Sequence, residues 1–156
     1  VEMVQSESVG KIMVQAANVS NLPLHIGFSI IKSDILRLKQ DKAAFEIETI
    51  TDILGNSENI HSVGIMHSDI NDIHEGLQIV SDAWSGNMIA YPDHGKYCEN
   101  IWTMHADDST LRNIARSLMY CKQKYSKLEI IGGCCGLGPK FIFLLTELLR
   151  DQNYET

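Results

Sequence analysis

Ile130-Ile131-Gly132-Gly133-Cys134-Cys135-Gly136-Leu137-Gly138-Pro139-Lys140 is the stretch whose reading decides the fold. An apolar run beginning at Leu128 ends in a turn of glycines and two neighbouring cysteines. Pro139 then opens a segment with helical spacing, at a position where the missing N–H of proline costs a helix nothing. Strand, glycine turn and helix together make a βα junction. The same rhythm runs upstream. Leu24–Ile30, Ile60–Met66, Asn87–Tyr91 and Leu128–Gly132 read as buried strands. Helical patterns lie between and around them, over Ser6–Ala17, Asp69–Trp84, Asp108–Tyr125 and Pro139–Arg150. Asp34–Leu54 reads as helical in its later part, with the Ile30–Asp41 portion as a loop. Ser68 or Asp69, and Ser109 or Asp108, are the candidate caps of the two middle helices. Strands alternating with helices predict right-handed βαβ units and a parallel sheet, an α/β fold in one domain over residues 1–156. Four such units are also half of an eightfold βα barrel.

The composition narrows the function. The chain has 156 residues, 44% of them hydrophobic, and a net charge of −7, which is enough for a sizeable core. No basic stripe offers a nucleic acid its phosphate contacts, so no nucleic-acid partner is expected. No apolar run approaches the roughly 20 residues of a membrane helix, so no membrane partner is expected. Cys98, Cys121, Cys134 and Cys135 are too few and too unevenly spaced for a secreted disulfide scaffold, and the expected location is the cytoplasm. The first strand is not followed by Gly-x-Gly-x-x-Gly, and no Gly-Lys-Ser/Thr ending marks a P-loop.

In a parallel sheet the C-terminal ends of all strands share one edge, and barrels carry their active sites there. The four strand ends read Phe28-Ser29, Met66-His67-Ser68, Tyr91-Pro92-Asp93-His94-Gly95 and Gly133-Cys134-Cys135. His67 and the two cysteines come from the second and fourth strands, which point side chains into one layer in a barrel. Adjacent cysteines are poor disulfide partners, since Cα atoms about 3.8 Å apart fall below the usual range of about 4.4–6.8 Å. Two thiolates with an imidazole suit Zn2+, with a fourth position open to a substrate thiol. The plainer alternatives are a glycine turn holding two small residues, and a strand-end histidine bonded to backbone. A redox dithiol is a weaker third, because the Cys-x-x-Cys spacing is missing. Among the other histidines, His25 reads as a satisfied strand residue, and His61, His74 and His105 as exposed. Trp84 and Trp102 read as packing residues, and Cys98 and Cys121 as ordinary thiols.

Ile-Ile-Gly-Gly-Cys-Cys-Gly-x-x-Pro resembles the last-strand signature of the zinc-dependent homocysteine S-methyltransferases. Further segments fall in that family's order across nearly the whole chain. Val1-Glu2-Met3 resembles the end of the fourth strand, Leu24–Ser29 the fifth, Val63-Gly64-Ile65-Met66-His67 the sixth with its Val-Gly-x-Asn-Cys, and Tyr91-Pro92-Asp93-His94-Gly95 the Tyr-Pro-Asn-x-Gly of the seventh. The resemblance implies Cys134 and Cys135 as zinc ligands, with His67 standing where the family has its third cysteine. Met66 stands where the family has asparagine. It implies Glu2 as a contact of the homocysteine amino group; Ser29 and His94, at the same strand-end rim, are further substrate-binding candidates, with the metal as the alternative contact of His94. The implied reaction is methyl transfer from a small activated donor to the thiol of homocysteine, giving methionine. Two thiolates balance Zn2+ where three leave excess negative charge, so a bound substrate thiolate would be held more tightly and be less nucleophilic. The family's barrel has eight strands, and only the counterparts of the last four and the end of the fourth are here. The expectation is therefore a half barrel with open edges and an exposed apolar interior, which dimerises or pairs with an N-terminal half. The rival expectation is a non-catalytic zinc-binding or assembly fragment.

Overall fold

The computed structural model describes residues 1–98, 101–103 and 106–153. His105 lies outside the described residues, as do the side chains of Cys98 and Trp102.

Each helix starts where a side chain satisfies the free N–H groups of its first turn. Ser6 caps α1 (Glu7–Ser20), which ends on left-handed Asn21. A reciprocal Glu46–Thr49 capping box starts α2 (Ile47–Leu54). Asp69 accepts from the Asn71 N–H to start α3 (Ile70–Ala83). Asp107 accepts from the Thr110 amide at 2.7 Å to start α4 (Asp108–Lys124). Pro139 opens α5 (Pro139–Asn153).

The strands are β1 (Leu24–Phe28), β2 (Ile30–Lys32), β3 (Leu36–Leu38), β4 (Ile60–Ser68), β5 (Asn87–Pro92), β6 (Lys96–Cys98), β7 (Ile101–Thr103) and β8 (Leu128–Ile131). β1, β4, β5 and β8 form one parallel sheet in that order, so each βα unit lies beside the next. Residues 1–4 run along the outer side of β1. Val4 forms a parallel bridge to Phe28, and the Gly27 and Ser29 amides donate to the Val1 and Val4 carbonyls. The arm thus takes the place of a further strand at that edge. The arrangement is an α/β fold with four parallel strands in one sheet, consistent with half of a βα barrel.

The expected loop over Ile30–Asp41 is instead the antiparallel hairpin β2–β3. Its Ile30, Leu36 and Leu38 are buried with Phe45, whose ring meets that of Phe28 at 5.5 Å. The strand expected to continue to Ile30 breaks at Ser29, where the chain leaves the sheet. A second hairpin, β6–β7, follows β5 and had no counterpart in the sequence reading.

Core side chains lie between the sheet and its helices: Ile26, Phe28, Val63, Ile65, Met88, Ala90 and Leu128 from the strands, with Ile73, Leu77, Leu118 and Phe141 from the helices. Cross-strand partners on the other face are His25–Ser62, Gly27–Gly64, Ile89–Ile130 and Met66–Tyr91. That face is small and partly polar rather than a broad apolar surface. His25 Nδ1 pairs with Ser62 Oγ at 2.7 Å, and Ile130 is its main exposed aliphatic group. Larger exposed apolar groups stand on the flanking helices, Ile12 and Val19 on α1 and Ile142 and Phe143 on α5. Among the described residues, no helix is long and apolar enough to cross a membrane.

Candidate metal centre

The site begins with a break in strand regularity. The pairing of β4 with β5 slips between Met66 and Ser68, leaving His67 as the bulged residue, the kind of irregularity that re-aims a side chain at a strand end. His67 has φ 49°, a left-handed conformation that costs a non-glycine residue on the order of 1–3 kcal/mol unless its surroundings hold it. They do. Ser29 Oγ donates to the His67 carbonyl at 2.9 Å, and Lys39 Nζ donates to the same oxygen. Next along the chain, buried Ser68 donates to the Met66 carbonyl and accepts from the Ile30 amide, both at 2.9 Å.

The cysteine turn after β8 is fixed by backbone bonds to the end of β5. The Cys134 amide donates to the Pro92 carbonyl and the His94 amide to the Cys135 carbonyl, both at 2.8 Å. Gly136 has φ 79°, and a Cβ there would stand 3.1 Å from the His94 carbonyl carbon. Conformation and close approach both call for glycine at that position.

These two strand ends bring His67, Cys134 and Cys135 together. One ligand-capable atom from each lies within 4.8 Å of the others, and all three residues are half-buried. Cys134 Sγ is 3.9 Å from Cys135 Sγ and 3.5 Å from His67 Nδ1. A tetrahedral zinc ion with Zn–S about 2.3 Å and Zn–N about 2.0–2.1 Å separates two sulfurs by about 3.8 Å and sulfur from nitrogen by about 3.5 Å. The donor set fits zinc in chemistry, and two of its three separations match a tetrahedral ion, the third lying within 4.8 Å.

The electrostatics favour a cation. Burial, followed by Cys135 and Asp93, pushes the Cys134 thiol up to about 11, with a backbone hydrogen bond opposing. Without a positive charge beside it, that sulfur keeps its proton; a metal would release it. Burial and the Lys39 charge lower the His67 pKa against the pull of Asp93, so the ring is neutral at neutral pH, the form that ligates metal. Asp93 Oδ2 is 3.2 Å from His67 Nδ1 and 3.8 Å from Lys39 Nζ.

The substrate-side candidates are dispersed around this centre. Glu2 is exposed on the N-terminal arm, near enough to Tyr91 that its charge adds to burial in raising the phenol's pKa. Ser29 is fully buried, with its hydroxyl bonded to the His67 carbonyl. The His94 side chain lines a cleft of about 280 Å³ with Asp69, Asp93, Thr110 and Asn113. Lys39 and Asp93 were not singled out from the sequence. Lys39 is hidden because β3 carries no motif. Asp93 was in view within Tyr91–Gly95, but its role depends on the bulge that turns His67 towards it.

A family model described as homocysteine S-methyltransferase matches residues 1–149. The chain belongs to the homocysteine S-methyltransferase family. No curated protein and no solved structure matches it. Membership supports a methyltransferase function with homocysteine and a methyl donor as the family's substrates. It also gives the cluster at the strand ends a chemical context that three ligand-capable side chains alone do not have.

Proposed function

We propose that this protein binds zinc through His67, Cys134 and Cys135 and takes part in methyl transfer to the thiol of homocysteine, giving methionine. The observation that carries the proposal is the convergence of one imidazole and two thiols, from two separate strand ends, within 4.8 Å in a chain of this family. Zinc bound there would supply the positive charge that keeps a substrate thiol deprotonated at neutral pH.

The chain's own groups do the rest. Ser29 and Lys39 hold the His67 backbone in its left-handed turn, and the cysteine turn is tied to β5. Glu2, on the arm beside Tyr91, is assigned to the ammonium group of homocysteine, and His94, in the cleft beside Asp93, to the substrate side of the rim. The substrate sulfur attacks the donor's methyl carbon. The new S–C bond forms as the donor's bond to that carbon breaks, and the electron pair leaves with the donor.

The exposed apolar groups on α1 and α5 support a partner at the two flanks, either a second copy or an N-terminal half that completes an eightfold barrel. They also favour the second reading, an assembly fragment that holds zinc without turnover. The proposed location is the cytoplasm.

The test is metal analysis of the purified chain, followed by titration with homocysteine. One zinc per chain, lost in Cys134→Ser, and homocysteine binding that requires the zinc are expected. Zinc-free protein under reducing conditions, refractory to added zinc, would sink the proposal. Methionine formed from homocysteine and a methyl donor separates the enzyme from the assembly fragment.

A further inference from the structure

We propose that His25 and His61 form a second metal site, a two-imidazole chelate for a divalent transition ion such as Zn2+, at the end of the sheet away from the cysteine rim. It does not depend on the reading of His67, Cys134 and Cys135. His61 and His67 stand near opposite ends of β4, and at about 3.3 Å per residue their Cα atoms are about 20 Å apart. The pairing of β1 with β4 slips between Leu24 and His25. Leu24 faces Ile60 and His25 faces Ser62, so His61 is the extra residue. Regular alternation would send His61 to the sheet face opposite that of His25 and Ser62. The bulge re-aims it, and the two rings lie with centroids 5.9 Å apart and planes at 59°.

Three features suit this pair to an ion. The first is separation. With metal–nitrogen bonds of about 2.0–2.1 Å, two imidazoles on one ion hold their centroids about 5.2 Å apart at a tetrahedral angle and about 6.4 Å apart in trans. The observed 5.9 Å falls between. The second is orientation. Ser62 is 1% exposed, and its Oγ meets His25 Nδ1 at 2.7 Å. A buried hydroxyl thus fixes the ring, as outer partners do for metal-binding histidines. In the tautomer that donates Nδ1–H to Ser62, Nε2 carries the free lone pair. The third is availability. Both histidines are exposed. Among the described residues, no hydrogen bond engages His25 Nε2 or either nitrogen of His61. Imidazole donors select zinc, copper or nickel over magnesium and calcium. Two protein donors leave the other positions to water, so this ion is held more weakly than one at the rim and is lost on desalting. Bound, it joins β1 to β4 where the bulge interrupts their ladder, and stabilises the fold by mass action.

Zinc is the probe, and protein carrying Cys134→Ser and Cys135→Ser is the background, because it lacks the rim's thiols. Equilibrium dialysis and thermal melts over micromolar to millimolar Zn2+ compare this background with His25→Gln, His61→Gln or Ser62→Ala added singly. Far-UV circular dichroism confirms the fold of each. The background should bind one zinc per chain, and its melting temperature should rise as zinc is added. Outer partners of a metal site are worth about 10–100-fold in affinity, so loss of either ring should weaken binding by at least about tenfold. Both histidine variants should lose most of the rise in melting temperature. Ser62→Ala, which frees the His25 ring, should weaken binding about tenfold, the lower end of that range. If the double cysteine variant does not fold, wild-type protein already holding one zinc is titrated instead, and the second equivalent is read. No zinc bound beyond the rim's, or binding that survives in either histidine variant, would overturn the inference while leaving the cysteine site untouched. Unchanged affinity in Ser62→Ala would overturn the part assigned to Ser62.

Discussion

On one face of the sheet, Ile26, Phe28, Val63, Ile65, Met88, Ala90 and Leu128 lie buried under the helices. On the other face, the same strands present His25, Gly27, Ser62, Gly64, Tyr91 and Ile130. Met66 and Ile89 are buried on this second face but stand apart from the main core cluster. The first face has one task, removal of apolar area from water, and large aliphatic side chains do it. The second gives up side-chain volume, and its strands end at the metal-capable rim. Stability and chemistry are thus divided between two faces of the same four strands.

The division is tested most strongly by truncating one side chain on each face. Phe28→Ala removes a fully buried ring packed on Phe45 and should cost about 3–5 kcal/mol. Ile130→Ala, on the other face, removes a side chain already 37% exposed and should cost well under half of that, about 1 kcal/mol or less. Urea denaturation of both variants checks the pair. Equal losses would mean that the second face carries core packing after all.

Gly64→Ala sharpens the comparison from the opposite direction. A Cβ at Gly64 would meet the Ile89 carbonyl oxygen at 1.8 Å, a backbone atom that cannot swing aside. Strand β4 or β5 must shift, at the roughly 1–3 kcal/mol typical of overpacking. The melting temperature should fall. A variant as stable as wild type would show that the strands open there without cost.

The helix-covered face was largely legible in the sequence, because the buried parallel strands carry apolar runs such as Val63–Met66. The joining of His67 to the cysteine pair was legible too, once their strands were placed in order. Three features were not. The β2–β3 hairpin has strands of only three residues each, too short for a period to register. The interior was expected to be apolar, but Gly27 and Gly64, which the sequence already placed within strands, leave that face with little side-chain volume. His74 was expected to be exposed, yet it is half-buried between Cys121 and Tyr120, because its position on α3 faces α4, a neighbour that helical periodicity does not identify.

A smaller effect is expected where the sheet's chemistry meets its scaffold. Ser29→Ala removes one of the two donors to the His67 carbonyl and leaves Lys39. The loss should be near 1 kcal/mol, the value of one neutral hydrogen bond, and zinc affinity should fall with it because the His67 turn is then less firmly held. Stability lost without any change in zinc affinity would place Ser29 with the scaffold alone.

The smallest effect lies on the helical side and concerns pH. Burial, then the charge of Lys124, lowers the pKa of His74. The folded protein therefore resists protonation at this ring more than the unfolded chain, where the value is near 6.5. Between the two values the unfolded state binds more protons, so stability rises with pH in that window. The contribution of neutral His74 is fully present above about pH 6.5 and is lost as acid reaches the folded value. His67 acts in the same sense in metal-free protein, so the isolating measurement compares wild type with His74→Gln, both stripped of metal. Melting temperatures followed from pH 7.5 downwards should fall less steeply in the variant. Parallel curves would show that the helical layer admits the charged ring as readily as water does, and that the packing between α3 and α4 is looser than the buried Cys121 thiol beside it implies.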